Sequence, residues 1–186
     1  GSALAQVYGQ VGDAAPDLDD ADKLKAFFAV TRALHRAGEI LAYHDRSDGG
    51  LAATLCEMMF AGRCGLEIDT GTRLSSSDLL SLFFNEELGA VLQVRAARAE
   101  LIAEQFRSAG VSARALGRIT ANDTLKLAHD GALLLEEERK DLQRAWSETS
   151  YRLQGLRDNP QCADQEYSAL LETRDAGLSV ALSFPW

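Results

Sequence analysis

The sequence predicts an α+β fold in which a mixed β-sheet is covered on one face by helices. Several segments place apolar residues every three or four positions, as residues 24–34 do, which indicates helices with one buried face. Other segments are short and apolar or alternate apolar with polar residues, which indicates strands. Asp130-Gly131 between two apolar runs is a strong hairpin signal.

Helices are predicted where an apolar stripe is bounded by capping residues or glycine. Asp19 or Asp20 can cap the helix that ends near Ala37, and Gly38 follows it as a natural C-terminal residue. Asn159-Pro160 stops a long helix that carries one apolar stripe from Leu142 to Leu156. The predicted helices span residues 3–9, about 20–37, 48–61, 78–84, 97–109 and 137–156.

Strands are predicted in the intervening apolar segments. Residues 160–186 show weak periodicity and are expected to be extended. We therefore divide the chain into an α+β domain, residues 1–158, and an extended linker, residues 159–186. The predicted strands or extended segments span residues 40–43, 64–68, 90–94, 111–119, 125–128 and 132–135.

Composition limits the classes of function. The net charge of −9 over 186 residues argues against non-specific nucleic-acid binding, which needs a basic surface. No apolar run is long enough to span a bilayer, so no membrane partner is expected. Three cysteines without metal-like spacing are typical of a reduced, cytoplasmic protein. An acidic chain can still bind a nucleotide, because Mg²⁺ can bridge carboxylates and phosphates.

The polar loop after the first predicted strand, residues 43–51, is the strongest functional signal. It combines carboxylates, a hydroxyl and Gly49-Gly50 at the start of a helix. A strand, a glycine-rich turn and a helix N-terminus suit an anion, while Asp and Ser oxygens suit a hard cation such as Mg²⁺. Asp45 and Ser47 are also ordinary turn and capping residues, so the loop alone leaves both interpretations open.

The neighbouring residues carry alternatives of their own. His44 is interpreted as a hydrogen-bonded structural residue rather than an acid–base catalyst. The two glycines serve either close approach to a phosphate, which we favour, or helix packing. Arg46 either pairs with phosphate or is solvated. Glu86 and Glu87 are adjacent in an extended segment and point to opposite faces, so they do not easily serve one site together. Either one of them faces a domain interface or both are solvated at the entry of a strand.

Three stretches of the sequence resemble phosphoribosylformylglycinamidine synthases of the large, single-chain type. They occur in the family's order and, with the two ends of the chain, span nearly all of it. Pro185-Trp186 departs from the family, in which an acidic stretch usually follows the Ser-Phe pair. The stretches are AYHDRSDGGL (42–51), FNEELGAV (84–91) and LRDNPQCADQE (156–166).

The resemblance implies that the chain is a fragment. It corresponds to the C-terminal domain of the second of two aminoimidazole-ribonucleotide-synthetase-like halves, with the segment that leads to a glutaminase domain. The whole enzyme would be an ATP-dependent carbon–nitrogen ligase of purine biosynthesis. It would convert formylglycinamide ribonucleotide, ATP and glutamine to formylglycinamidine ribonucleotide, ADP, phosphate and glutamate.

The same resemblance assigns roles to two residues. Asp45 would be a Mg²⁺ ligand, and Ser47 would contact ATP or ADP at an auxiliary nucleotide site whose other metal ligands lie on the preceding domain. No catalytic residue is assigned, and the isolated chain is expected to be inactive. The expected partners are other domains of the same polypeptide. The alternative is a purely structural domain that self-associates when isolated.

Overall fold

The structure is a computed structural model that describes residues 2–13, 15–71, 74–172, 181 and 183. A 3₁₀ turn, Ala96–Arg98, precedes the fifth helix. The helices are α1 (Ala3–Val7), α2 (Ala21–Arg36), α3 (Gly50–Gly62), α4 (Ser76–Phe84), α5 (Ala99–Ser108), α6 (Arg139–Arg157) and α7 (Pro160–Ala169). The strands are β1 (Ile40–Asp45), β2 (Gly65–Asp69), β3 (Ala90–Val94), β4 (Gly117–Thr120), β5 (Thr124–His129) and β6 (Ala132–Glu138).

The predicted α+β fold with a mixed sheet is confirmed. The mixed sheet has the order β4-β2-β5-β6, with β2 and β5 parallel and the other pairs antiparallel. Strands β1 and β3 form a separate antiparallel pair in which Asp45 lies opposite Ala90. The predicted hairpin is present: Asp130 and Gly131 both have positive φ, as a tight turn between β5 and β6 requires.

Two apolar clusters hold the helices on the strands. The larger cluster lies around α3 and includes Met59, which is fully buried. The smaller cluster joins α2 and α5 through Leu34, Ile102 and Phe106, with Ile40 of β1 and Leu92 of β3 packed against it. The β1–β3 pair therefore depends on helix packing, because two strands alone are marginally stable in water.

Helix α7 corrects the prediction that residues 159–186 are extended. Residues 160–169 are helical, and Asn159 caps them by accepting from the backbone N–H groups of Gln161 and Cys162. Asn-Pro, which we interpreted as a stop, is also a good helix start, since Pro fits the first helical position. Tyr167 stacks on Tyr151 of α6 at a ring separation of 4.2 Å. The rest of the predicted linker lies largely outside the described residues, and its role as a linker stays a prediction.

Two further expectations differ from the structure. Of the predicted extended segment 111–119, the part that forms a strand begins at Gly117. The apolar stripe of α6, expected to pack in the core or against another domain, is covered only in part: Leu142 is half-buried against the larger cluster, while Leu156 is 87% exposed. Periodicity identifies a helix face without showing how far along the helix that face is covered.

Gly50, the first residue of α3, lies very close to the backbone at the end of α4. It has φ +66°, and a Cβ there would lie 2.8 Å from the carbonyl oxygens of Phe83 and Asn85. The start of α3 is therefore packed directly against the end of α4, which explains this glycine without a ligand.

None of the helices in the described parts of the chain is long and apolar enough to cross a bilayer. The cysteines are free thiols: Cys56 and Cys64 are half-buried, and Cys162 is exposed. Burial raises the pKa of Cys56 from 9.0 to about 11, and the adjacent Glu57 carboxylate adds to the shift. A raised pKa disfavours the thiolate, so Cys56 is a poor nucleophile at neutral pH.

We predict that Gly50→Ala destabilises the protein by about 2–4 kcal/mol, because it adds a strained left-handed residue to an overpacked contact. Gly110→Ala is the matched control, since Gly110 has φ +79° but nothing lies within 4 Å of its Cβ position. The control should cost about 1 kcal/mol from backbone strain. Urea unfolding of both variants measures the difference, and equal losses would contradict the close packing.

We also predict that the thiols differ in reactivity in the folded protein. At pH 8, a shift from 9.0 to about 11 lowers the thiolate fraction of Cys56 by about 100-fold. A chromogenic disulfide reagent should therefore modify Cys162 first and Cys56 slowly, with Cys56 accelerating as the pH rises towards its pKa. Cys162→Ser should remove the fast phase. Equal rates for Cys56 and Cys162 would contradict the assigned burial.

Candidate functional site

The candidate site lies where β1 meets the loop before α3. Strand β1 extends two residues further than predicted, so Asp45 is its last residue. Successive side chains of a strand point to opposite faces, which puts Leu41, Tyr43 and Asp45 on one exposed face. The Asp45 side chain is 66% exposed, and Ser47 is exposed as well. The structure thus places both predicted site residues at the surface, two positions apart.

Tyr43 is the titratable neighbour of the Asp45 carboxylate on this strand face. Partial burial raises the pKa of Tyr43 above its ordinary value, and the charge of Asp45 is the second cause. A neighbouring anion disfavours the phenolate. His44 Nδ1 lies 3.8 Å from Asp45 Oδ1, beyond hydrogen-bonding distance.

The half-buried Arg46 side chain contacts a second loop, residues 85–89. Its Nε donates to the carbonyl oxygen of Glu87 at 2.6 Å, and a terminal nitrogen donates to that of Leu88 at 3.1 Å. Its backbone N–H donates to the carbonyl oxygen of Gly89 at 2.8 Å. Burial lowers the pKa of Arg46, and the charge of Glu87 opposes this shift. Arg46 therefore joins the two loops through its contacts with backbone carbonyl oxygens.

Glu86, in the second loop, joins that loop to the residue before α3. Its Oε1 accepts from the backbone N–H of Gly49 at 2.8 Å and from that of Ala3 at 2.7 Å. The N–H of Gly49, which we expected to face a phosphate, is thus bonded to a carboxylate. Glu87 is exposed on the other side. The prediction that the two glutamates do not serve one site agrees with this geometry.

His44 and Thr54 form contacts that hold the end of β1 in place. His44 Nδ1 lies 2.7 Å from the backbone oxygen of Asp45, and its Nε2 lies 2.8 Å from a carboxylate oxygen of Glu57. The buried Thr54 hydroxyl lies within reach of the carbonyl oxygens of Asp45 and Gly50. Both His44 nitrogens have partners, as expected of a hydrogen-bonded histidine.

Glu57 links this region to the C-terminal helices. Glu57 Oε1 accepts from Trp146 Nε1 of α6 at 2.9 Å, while Glu57 Oε2 lies 2.8 Å from His44 Nε2. Trp146 also packs against Phe60 with ring centroids 5.9 Å apart. A single carboxylate on α3 therefore joins β1 to α6.

The site is chemically incomplete within the described residues. No group of three or more His, Cys, Asp or Glu side chains there is arranged to hold a metal ion. Asp45 offers one carboxylate and Ser47 one hydroxyl, whereas Mg²⁺ in proteins is usually held by one or two carboxylates together with phosphate oxygens and waters. These two residues could therefore supply one side of a cation site, with the other ligands coming from elsewhere.

Sequence reasoning missed the residues that shape the loop. Glu86 is distant in sequence from the loop, and Thr54 and Glu57 lie on the helix that follows it. One usable signal for Glu86 was its place in the carboxylate pair before β3, which we left undecided. The structure also places the glycines in the packing role that we considered less favoured.

Comparison with solved structures shows similar folds in Thermotoga maritima proteins. PurL complexed with ATP matches with a TM-score of 0.60 at 15% identity, covering 67% of this chain and 22% of that one. The structure of PurLQS matches with a TM-score of 0.59 at 15% identity, covering 66% and 22%. PurL complexed with FGAR matches with a TM-score of 0.56 at 16% identity, covering 63% and 20%.

The chain thus spans about a fifth of the length of the structures that it matches. Identities of this size show the fold alone. The family assignment rests on the sequence: residues 1–130, which reach from α1 to the turn after β5, match the family described as AIR synthase related protein, C-terminal domain. The chain therefore belongs to the AIR synthase related protein family and contains the family's C-terminal domain.

Proposed function

We propose that this chain is one domain of an ATP-dependent ligase of purine biosynthesis. In the full-length enzyme it would contribute to converting formylglycinamide ribonucleotide, ATP and glutamine to formylglycinamidine ribonucleotide, ADP, phosphate and glutamate. The family match and the fold shared with PurL support this proposal. Structures of PurL complexed with FGAR, ATP, AMPPCP and ADP support a nucleotide as the ligand of the fold. The large, single-chain type and the cytoplasmic location remain part of the proposal.

One observation carries the site assignment. Arg46, Glu86 and Thr54 hold the backbone around the loop, whereas the Asp45 carboxylate is exposed at the end of β1. An exposed carboxylate on a fixed backbone is suited to a ligand that arrives from outside the domain. We infer that Asp45 binds Mg²⁺ and that Ser47 contacts the nucleotide.

The remaining ligands would come from another domain of the same polypeptide. Mg²⁺, when bound, would neutralise phosphate charge and bridge it to carboxylates. The chain's own contribution is to hold one carboxylate and one hydroxyl at a domain boundary. The exposed apolar side chains of Leu41 and Tyr43 lie on the same strand face as Asp45, where a packed neighbour would cover them.

The expected binding follows from this incompleteness. The isolated 186-residue chain should bind ADP with Mg²⁺ weakly or not at all, whereas the full-length polypeptide should bind it tightly. In the full-length protein, Asp45→Asn should weaken Mg²⁺-dependent ADP binding at least about tenfold, and Ser47→Ala about fivefold. Isothermal titration calorimetry measures both effects.

Asp48→Asn is the matched control, because Asp48 is an exposed carboxylate of the same loop with no assigned role. It should leave the affinity within about twofold, as expected for a surface charge. Tight stoichiometric binding by the isolated chain would contradict the need for a second domain. Equal effects of Asp45→Asn and Asp48→Asn would contradict the metal assignment.

A second candidate role is purely structural. The exposed face of β1 could pair two copies of the isolated chain, since Leu41 and Tyr43 are 49% and 47% exposed. Multi-angle light scattering separates the two cases. A stable dimer that Tyr43→Lys converts to monomer would favour the structural role, whereas a monomer across the concentration range argues against it.

A further inference from the structure

We propose that Glu86 is the positioning residue of the candidate site, which it serves by holding the loop of Asp45 and Ser47 in place before a ligand binds. This inference rests on the proposed function for the identity of the ligand. The hydrogen-bond geometry of the loop supports it independently.

The contacts of Glu86 join three distant segments. One oxygen, Oε1, accepts from Gly49, 37 residues away, and from Ala3, 83 residues away. Both are backbone N–H groups bonded to a half-buried carboxylate, which makes them charge-assisted hydrogen bonds. Gly49 is the residue before α3 and has φ +80°, a conformation that only a glycine adopts at low cost. Because a glycine backbone can adopt many conformations, a hydrogen bond from another segment is needed here to select one loop conformation.

The charge of Glu86 also fits its position. The N-terminus of α3 has no side-chain cap of its own, because its N-cap residue is Gly49. A carboxylate at a helix N-terminus is stabilising, since it meets the positive end of the helix dipole. Glu86 therefore brings a carboxylate from another loop to this helix N-terminus, where it accepts from the N–H of Gly49.

The two ties around the loop leave the ligand-binding groups free. Arg46 fixes the loop to residues 87–89, and Glu86 fixes residues 85–89 to Gly49. Ser47 lies between the two tied positions and is exposed, and Asp45 precedes them. Holding the loop beforehand lowers the conformational entropy that ligand binding would otherwise cost.

The first test needs no ligand. Glu86→Ala should increase amide hydrogen exchange across residues 45–50 at least about tenfold, because Gly49 loses its acceptor. Glu86→Gln keeps an acceptor oxygen and should restore most of the protection. Glu87→Ala, which removes the same charge from an exposed neighbour, should leave exchange in the loop unchanged. Far-UV circular dichroism confirms that each variant is folded.

The second test asks whether the position matters for binding. In the full-length protein, Glu86→Ala should weaken Mg²⁺–ADP binding about tenfold, and Glu86→Gln by less than about threefold. In an Asp45→Asn background, Glu86→Ala should have little further effect on the Mg²⁺-dependent part, because both changes act on one contact. A general structural defect would instead lower affinity independently of Asp45.

The outcomes separate this inference from the proposed function. Unchanged exchange in Glu86→Ala, or equal changes in Glu86→Ala and Glu87→Ala, would overturn the positioning role. Increased exchange with unchanged affinity would overturn it too. If the wild-type protein binds no Mg²⁺–ADP, the proposed function fails, and loop exchange alone then decides the role of Glu86.

Discussion

The structure depends on one constraint, the joining of loop 45–50 to loop 85–89. Strands β1 and β3 pair antiparallel and bring the two loops together at their ends, but a two-stranded pair gives little stability by itself. Arg46 ties the first loop to the second, and Glu86 ties the second back to the start of α3. Gly50 permits this arrangement, because any side chain there would meet the backbone of residues 83–85. The position of Asp45 follows from these contacts.

The segment after residue 130 is attached to the same region. It lies outside the part that matches the family, yet α6 packs on α3, and Trp146 donates to Glu57, which also faces His44. Arg139, the first residue of α6, is buried and paired with Asp123, so the helix is anchored at its start. Helix α6 therefore packs against the same apolar cluster as the helix that follows the candidate site.

The sequence allowed the fold class and most elements to be predicted, because local signals determine them. Asp20 caps α2 as predicted, and Asp130-Gly131 forms the hairpin turn. The exposed positions of Asp45 and Ser47 also agree with a loop of polar residues. Local signals did not determine which distant residues hydrogen-bond to each other. Glu86 accepts from Gly49 and Ala3, and such tertiary contacts produce no periodic pattern in the sequence. Asn159-Pro160 was misinterpreted because the same two residues can end one helix and begin another.

The central claim is that Asp45 forms one wall of a Mg²⁺–nucleotide site completed by a second domain. The most direct measurement is a crystal structure of the full-length polypeptide with ADP and Mg²⁺. We expect a carboxylate oxygen of Asp45 at about 2.0–2.1 Å from the metal, the usual Mg²⁺–oxygen distance. The other protein ligands should come from outside residues 1–186. A metal held entirely by other residues, with Asp45 facing solvent, would contradict the account.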